Sequence, residues 1–253
     1  MNNVEYSIIS RGSEKYFKHG YMLITKSIDN KRYILNQNHN SDEIIIDDTS
    51  LEFNDDYNIY NIAVSRFGLI SRLLLDRINI EDNIFILGMG NIGFSLLIEL
   101  LKKGYKNINI YSRSIKNDLK SIEEYFNVKL NVFDKIRGDS KVFIDTTGSS
   151  DVIKTIFECL EPMSSVIILS TPRDNEYLID PLMVNRKNLT IYGGHEIFGY
   201  RKNKRNEVFN KILEENKELE RILIQYINIH DYSEEELNNI YNNKTNIIDI
   251  FKY

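Results

Sequence analysis

The sequence predicts an α/β fold built on a doubly wound parallel sheet, and three observations carry the prediction. At Ile84–Gly93, I-F-I-L-G-M-G-N-I-G, a short apolar run passes directly into G-x-G-x-x-G, and helical spacing follows from Phe94 to Lys103. From about residue 80 to about residue 200, strand-like runs alternate with helix-like segments, the pattern of a parallel sheet joined by helical crossovers. The later runs, Val166–Ser170 above all, are continuously apolar, as strands covered on both faces are.

Taken in order, residues 1–57 read mostly as β. Val4–Ile9, Tyr21–Thr25, Arg32–Leu35 and Glu43–Ile46 are short strand candidates separated by Gly, Asn and Asp turns. The spacing of Ile62, Phe67, Ile70, Leu74 and Ile78 predicts a helix over Ile59–Ile78, leading into the glycine strand. Ile84–Leu87 is too short for a helix and rich in strand formers. Ile108–Tyr111 is a second strand, Asn117–Phe126 a helix with Leu119, Ile122 and Phe126 on one side, Val128–Val132 a third strand and Val142–Asp145 a fourth. Asp151 is the expected N-cap of a helix through Leu160. Val166–Ser170 is the fifth strand, and Leu189–Tyr192 the sixth, ending in Gly193-Gly194. Asn206–Ile227 predicts an amphipathic helix with Val208, Phe209, Ile212, Leu219, Ile222, Leu223 and Tyr226 along one stripe. Glu234–Tyr241 is a short helix and Ile247–Phe251 a last strand. The expected domains are a β-rich domain at 1–57, a dinucleotide-binding domain with its lead-in helix at 58–204, and a helix and strand at 205–253 that complete the fold.

Composition narrows the function classes. A chain of 253 residues with 42% hydrophobic and 27% charged residues has ample length for a core. Ile, Asn and Lys are over-used, which AT-rich coding explains without function. A net charge of −5 argues against a nucleic-acid partner. The single cysteine, Cys159, allows no disulfide within the chain and no cysteine-based zinc cluster, and reads as a small buried side chain. The N-terminus lacks the basic start and apolar stretch of a signal peptide, and no run reaches the ~18 apolar residues of a membrane span. A cytoplasmic protein with no membrane partner is expected.

The glycine turn is the Rossmann-type pattern for a dinucleotide. Gly88 permits the tight turn, Gly90 leaves room for a pyrophosphate, and Gly93 lets the helix pack on the strand. The N–H groups at the helix start, around Asn91 and Ile92, then face the phosphates with the helix dipole behind them. A tight strand–helix turn without ligand is the bland alternative. An acidic residue about 20 positions past the glycines marks NAD. Here that position falls near Ser112, followed by Arg113, and a hydroxyl beside a guanidinium suits a 2′-phosphate. NADP(H) is therefore expected over NAD(H), with Lys116 adding charge. The alternative for Arg113 is a solvated surface cation.

These pieces together resemble the medium-chain dehydrogenase/reductase family, the zinc-type alcohol dehydrogenase superfamily, over most of the chain. D-N-I-F-I-L-G-M-G-N-I-G is similar to its cofactor strand and V-F-I-D-T-T-G-S-S-D at 142–151 to its fourth strand. M-S-S-V-I-I-L-S-T-P-R at 163–173 and L-T-I-Y-G-G at 189–194 are similar to its fifth and sixth strands. The final helix, H-D-Y-S-E-E-E-L-N-N-I-Y and I-I-D-I follow its C-terminal pattern. Y-S-I-I-S-R-G-S-E at 6–14, K-H-G-Y-M at 18–22 and N-Q-N-H-N-S-D-E-I-I-I at 36–46 resemble a shortened form of its N-terminal, GroES-like domain, nearest to the bacteriochlorophyllide and sugar dehydrogenase branch.

The resemblance implies that Thr147, Gly148, Ser170 and Gly193 line the nucleotide and that His195 lies near the nicotinamide, although an ordinary surface role suits His195 as well. Ser10 stands where the family has its first zinc-ligating cysteine, Gly20 and Tyr21 where it has His and Glu, and the four-cysteine lobe is absent. No zinc is expected; the one alternative set is His19, His39 and Glu14. The expected chemistry is hydride transfer between a nicotinamide and a small carbonyl, alcohol or imine, serving biosynthesis. His39 is the first candidate for proton transfer, Tyr21 the second and Ser10 the third. The alternative for His39 is a loop histidine facing solvent. A homodimer through the edge of the Rossmann sheet is also implied. Two competing readings stand beside this one: a catalytically eroded nucleotide-binding partner subunit of a biosynthetic complex, favoured by the short N-terminus, and an S-adenosylmethionine methyltransferase, disfavoured by the sixth strand ending Gly193-Gly194.

Overall fold

The computed structural model describes residues 3–10, 12, 14, 22–27, 31–39, 41, 43–54, 56–113, 118–173, 179–242 and 247–253. In chain order it runs β1 (Asn3–Ile9), β2 (Leu23–Lys26), β3 (Arg32–Leu35), β4 (Leu51–Phe53), α1 (Ile59–Arg72), β5 (Ile84–Leu87) and α2 (Asn91–Lys102). It continues with β6 (Ile108–Tyr111), α3 (Lys120–Phe126), β7 (Asn131–Phe133), β8 (Val142–Asp145), α4 (Ser150–Cys159), β9 (Ser165–Ile168), α5 (Pro181–Arg186) and β10 (Thr190–Gly193). It closes with α6 (Glu196–Gly199), α7 (Lys202–Asn216), α8 (Glu220–Leu223), β11 (Ile227–Asp231), α9 (Glu234–Asn242) and β12 (Ile248–Lys252). Two compact units emerge, one of Met1–Leu69 with Glu196–Tyr253, the other of Ile70–His195. No described helix is long and apolar enough to cross a membrane.

The Ile70–His195 unit holds the doubly wound sheet. Its described strands lie in the order β10-β9-β8-β5-β6-β7, all parallel. Winding runs outward one way from β5 through β6 to β7, then the other way from β8 through β9 to β10. The order reverses between β5 and β8, and a sheet of this kind opens a crevice at the carboxyl ends of the strands where it reverses. Every residue of β5 and β8 is buried, as their apolar runs require, and with them Asp145 at the end of β8. Phe85, Leu87, Phe143 and Val166 pack with Val152, Ile153, Ile156 and Phe157 of α4 in one core cluster. Each such side chain contributes about 1.5–3 kcal/mol on burial. α2 is buried from Gly93 through Leu101, Glu99 included. That carboxylate is matched by the Arg72 guanidinium and by Lys102 at 2.7 Å, the pairing a buried charge needs.

The other unit holds a second sheet in the order β11-β12-β1-β2-β3-β4. Its pairs are antiparallel except β11 with β12. β12 lies between β1 and β11, with Ile8 opposite Ile250, so the end of the chain completes the N-terminal sheet. An ion pair between buried Arg66 and Glu196 ties α1 to α6, and buried Arg205 of α7 donates to the carbonyls of Asp48 and Thr49.

Several elements differ from the sequence reading. Glu43–Ile46 forms no strand; the strand is Leu51–Phe53. The Gln37 amide explains this, since it donates to the Glu43 carbonyl at 2.9 Å and accepts the Ile45 N–H at 3.0 Å. Those contacts stand in for a ladder and leave Ile45 51% and Ile46 42% exposed. The third strand starts at Asn131 rather than Val128, because Asn127 turns left-handed (φ 48°) to end α3 and the Leu130 N–H is spent on the Glu123 side chain at 2.7 Å. The long helix expected over Asn206–Ile227 begins at Lys202 and breaks at Asn216, whose side chain donates to Ser65. Ile227 then begins a strand. Ser149, not Asp151, precedes α4; Asp151 sits in the first turn, where its charge suits the helix dipole.

Candidate functional site

The crevice between β5 and β8 is shaped by the glycine turn. Gly88 follows β5 with φ +101°, a conformation that disfavours side chains, and its N–H donates to the Tyr111 carbonyl at 2.9 Å. A Cβ on Gly93 would overlap the Gly88 carbonyl oxygen, so only glycine lets α2 start this close to the strand. A Cβ on Gly90 would meet nothing within 4 Å. Gly90 is the N-cap of α2 and, as glycine, brings no side chain to its first turn. A helix start with no side-chain cap and a glycine at its N-cap is a backbone arrangement that accepts phosphate. The residues present therefore fit a dinucleotide pyrophosphate.

The loop after β8 forms the other wall. Thr146 Oγ1 donates to the carbonyls of Leu87 (2.9 Å) and Gly88 (3.2 Å). Buried Asp145 accepts from Thr147 and Gly148 in that loop and from Ser170 after β9. Gly193 ends β10 with open space around it. On the opposite side, Leu87 pairs with Tyr111, which sets Ser112 beside Gly88 just past the end of β6. Ser112 is half-buried and Arg113 exposed. Gly88, Gly90, Asn91, Ile92, Gly93, Ser112, Arg113, Thr147, Gly148, Ser170 and Gly193 thus all lie at the carboxyl ends of the parallel strands. His195 is exposed in the stretch after β10. Lys116 lies outside the described residues.

The candidates for proton transfer lie in the other unit, and there the structure corrects one alternative: His39 is buried, not solvent-facing. Its Nε2 pairs with Glu14 Oε2 at 2.9 Å. Glu14, fully buried, also accepts the Ser10 N–H at 2.7 Å through Oε1 and the Tyr241 hydroxyl at 2.9 Å through Oε2. Tyr253 donates to the His39 carbonyl at 3.1 Å. Ser10 and His39 are therefore joined through Glu14. His39 Nδ1 is buried with no hydrogen-bond partner among the described residues. Burial, and next the Glu14 charge, push the Tyr241 phenol far above its ordinary range. Tyr21, Gly20 and His19 lie outside the described residues. Among the described residues no group of three or more His, Cys, Asp or Glu is placed to hold a metal. Glu14 and His39 are turned on each other, which leaves them a poor donor pair for zinc. Cys159, read from the sequence as buried, is half-buried, and burial raises its thiol above the ordinary value.

Sequence reading missed Tyr241, Tyr253, Asp145 and Thr146 as parts of these clusters. The only available signal was Asp145 closing an apolar strand just before Thr147 and Gly148.

No protein-family model matches the chain, and no curated protein is similar to it in sequence. Solved structures share its fold. Bacillus subtilis YhfP, solved with NAD bound, matches with a TM-score of 0.73 at 13% identity, over 99% of this chain and 89% of its own. Escherichia coli YhdH, with bound NADPH, matches with a TM-score of 0.73 at 13% identity, over 98% and 90%. Galactitol-1-phosphate dehydrogenase from Escherichia coli matches with a TM-score of 0.68 at 14% identity, over 99% and 91%. At these identities the likeness establishes the fold: a Rossmann-type parallel sheet together with an antiparallel-rich sheet.

Proposed function

We propose that the chain is an NADP(H)-dependent, zinc-independent oxidoreductase of the medium-chain dehydrogenase/reductase type, acting on a small carbonyl, alcohol or imine. The observation that carries this reading is the uncapped helix start at Gly90, open to 4 Å, at the reversal point of a parallel sheet. The nicotinamide supplies the hydride chemistry when bound. The chain supplies the cradle at Gly88–Gly93, a 2′-phosphate contact at Ser112 and Arg113, and lining groups at Thr147, Gly148, Ser170 and Gly193. The fold neighbours support a nicotinamide and differ in which one they carry, so the preference for NADP(H) rests on Ser112 and Arg113 alone. His39 is the proposed proton donor or acceptor, oriented by Glu14, and Tyr21 and Ser10 are the second and third candidates. A homodimer through β10 and a cytoplasmic location belong to the same reading.

Calorimetric titration with NADPH and NADH tests the cofactor. Wild type binds NADPH more tightly, and Arg113→Ala weakens NADPH about 10–100-fold, the loss of a hydrogen bond to a charged group, while NADH binding is unchanged. A preference for NADH in wild type sinks the NADP(H) assignment. Galactitol 1-phosphate and simple alcohols are suitable first substrates. With any that turns over, His39→Gln is expected to slow single-turnover hydride transfer about 10²-fold or more; an unchanged rate removes His39 from the chemistry. One observation favours the second reading, an eroded nucleotide-binding subunit: the Glu14 carboxylate is taken up within its own unit by His39, the Ser10 N–H and Tyr241.

A further inference from the structure

We infer, resting on the nucleotide reading above, that Asp145 is a positioning residue that sets the nicotinamide half of the crevice. Asp145 is the last residue of β8 and is fully buried. A buried carboxylate is costly unless hydrogen bonds satisfy it. Oδ1 accepts the Thr147 N–H at 2.9 Å and the Thr147 hydroxyl at 2.6 Å. Oδ2 accepts the Gly148 N–H at 3.3 Å and the Ser170 hydroxyl at 3.4 Å. The Asp145 carbonyl accepts the N–H groups of Leu169 (2.9 Å) and Ser170 (3.2 Å). One residue therefore fastens the loop after β8 to the loop after β9.

The fastening fixes shape. Thr147 Oγ1, turned towards Asp145, also accepts the Ser149 N–H at 3.1 Å. Gly148 is held at φ +63°, where a Cβ would overlap the Thr171 carbonyl oxygen, and its own carbonyl accepts the Arg173 N–H at 2.9 Å. The loops after β8 and β9 are one rigid wall rather than two independent turns.

The topology says which half of a dinucleotide this wall meets. A doubly wound sheet binds one mononucleotide on each side of its reversal point. Ser112 and Arg113, past β6, mark the adenosine side. Asp145, Ser170 and Gly193, past β8, β9 and β10, lie on the other side and face the nicotinamide nucleotide. An amide at 145 puts an NH2 against a backbone N–H, of Thr147 or of Gly148, so that contact of the staple turns from attraction to repulsion without a change of size, while the hydroxyl beside it can turn to accept.

The test separates the halves. Wild type and Asp145→Asn are titrated with NADPH and with adenosine 2′,5′-bisphosphate, and thermal unfolding is recorded for each protein. Asp145→Asn is expected to weaken NADPH about tenfold or more, with loss of the fluorescence enhancement of the bound reduced nicotinamide, while the bisphosphate stays within about twofold. Thr147→Val, which removes only the hydroxyl bonded to Oδ1, is expected to show the same split more weakly and serves if the first variant does not fold. Equal losses for both ligands, or no loss for either, overturn the inference, because a residue that only stabilises the fold cannot separate them. Failure of wild type to bind either ligand overturns the nucleotide reading and the inference with it.

Discussion

Two tyrosines from the C-terminal end of the chain meet the His39 cluster: Tyr241 donates to Glu14 and Tyr253 to the His39 carbonyl. Both hydroxyls act as donors, so the neutral phenol is the form the fold requires. Burial pushes the Tyr253 phenol up to about 12, against a lowering from the Ser7 hydroxyl. Tyr241 is driven further, by burial first and by Glu14 second. An unfolded tyrosine titrates near 10, so the folded state holds these protons more tightly than the unfolded chain. Their contribution to stability is complete below pH ~10 and lost as pH rises towards about 12 for Tyr253 and beyond for Tyr241. Urea unfolding from pH 7 to 12 is expected to show this alkaline loss, and Tyr253→Phe to reduce it between about pH 10 and 12. An identical alkaline slope in wild type and Tyr253→Phe contradicts the assignment. At this scale the sequence showed residue types and not their meeting. His39 and Ser10 were readable as polar groups in a β-rich segment. Glu14 was readable beside His39 only as part of an alternative zinc set, and the phenol 227 positions from Glu14 was not readable at all, because no local pattern encodes a partner so far along the chain.

At the scale of the element, the strand–turn–helix at 84–102 was legible because its constraints are local. Three glycines are needed for three different reasons, and the structure separates two of them. Gly93→Ala drives a Cβ into the Gly88 carbonyl, which is backbone and cannot swing aside. It is expected to destabilise the protein by about 2–3 kcal/mol, the upper range for overpacking, visible as a lower urea midpoint. Gly90→Ala meets no neighbour and keeps an extended backbone (φ −91°, ψ −164°) open to any residue. It is expected to lower stability by no more than about 1 kcal/mol, the modest cost of alanine at an N-cap, while weakening NADPH at least tenfold by filling the phosphate space. Equal stability losses in both variants contradict this division. The strand expected at Glu43–Ile46 was misread for the opposite reason: alternation of side chains says nothing of a backbone served by the Gln37 amide. The neighbouring turn is likewise fixed from far along the chain, by Lys202 at the Asp47 carbonyl and by Arg205.

For the molecule as a whole, the two sheets differ in how much of them a sequence can show. The parallel sheet is written largely as short, mostly apolar runs at β5, β8 and β9, strands covered on both faces. The other sheet closes by pairing β1 with β12, almost the full chain length apart, and no periodicity encodes such a partner. The division into units follows from that closure: residues 196–253 join the N-terminal strands, and the glycine turn lies in the central segment. Ligand binding to the native state alone stabilises it by about 2.7 kcal/mol at 100-fold excess over Kd. At roughly 2–4 °C per kcal/mol for a chain of this size, NADPH is expected to raise Tm by about 5–10 °C. The site residues proposed for the nucleotide all fall in the central unit. Amide exchange protection gained on binding is therefore expected to concentrate in the turn at 88–93 and in the loops after β8 and β9. β1–β4, β11 and β12 are expected to keep their free-state exchange rates. Protection that appears first in the sheet of β1–β4, with the glycine turn unchanged, places the ligand elsewhere and refutes the assignment of the site to the crevice between β5 and β8.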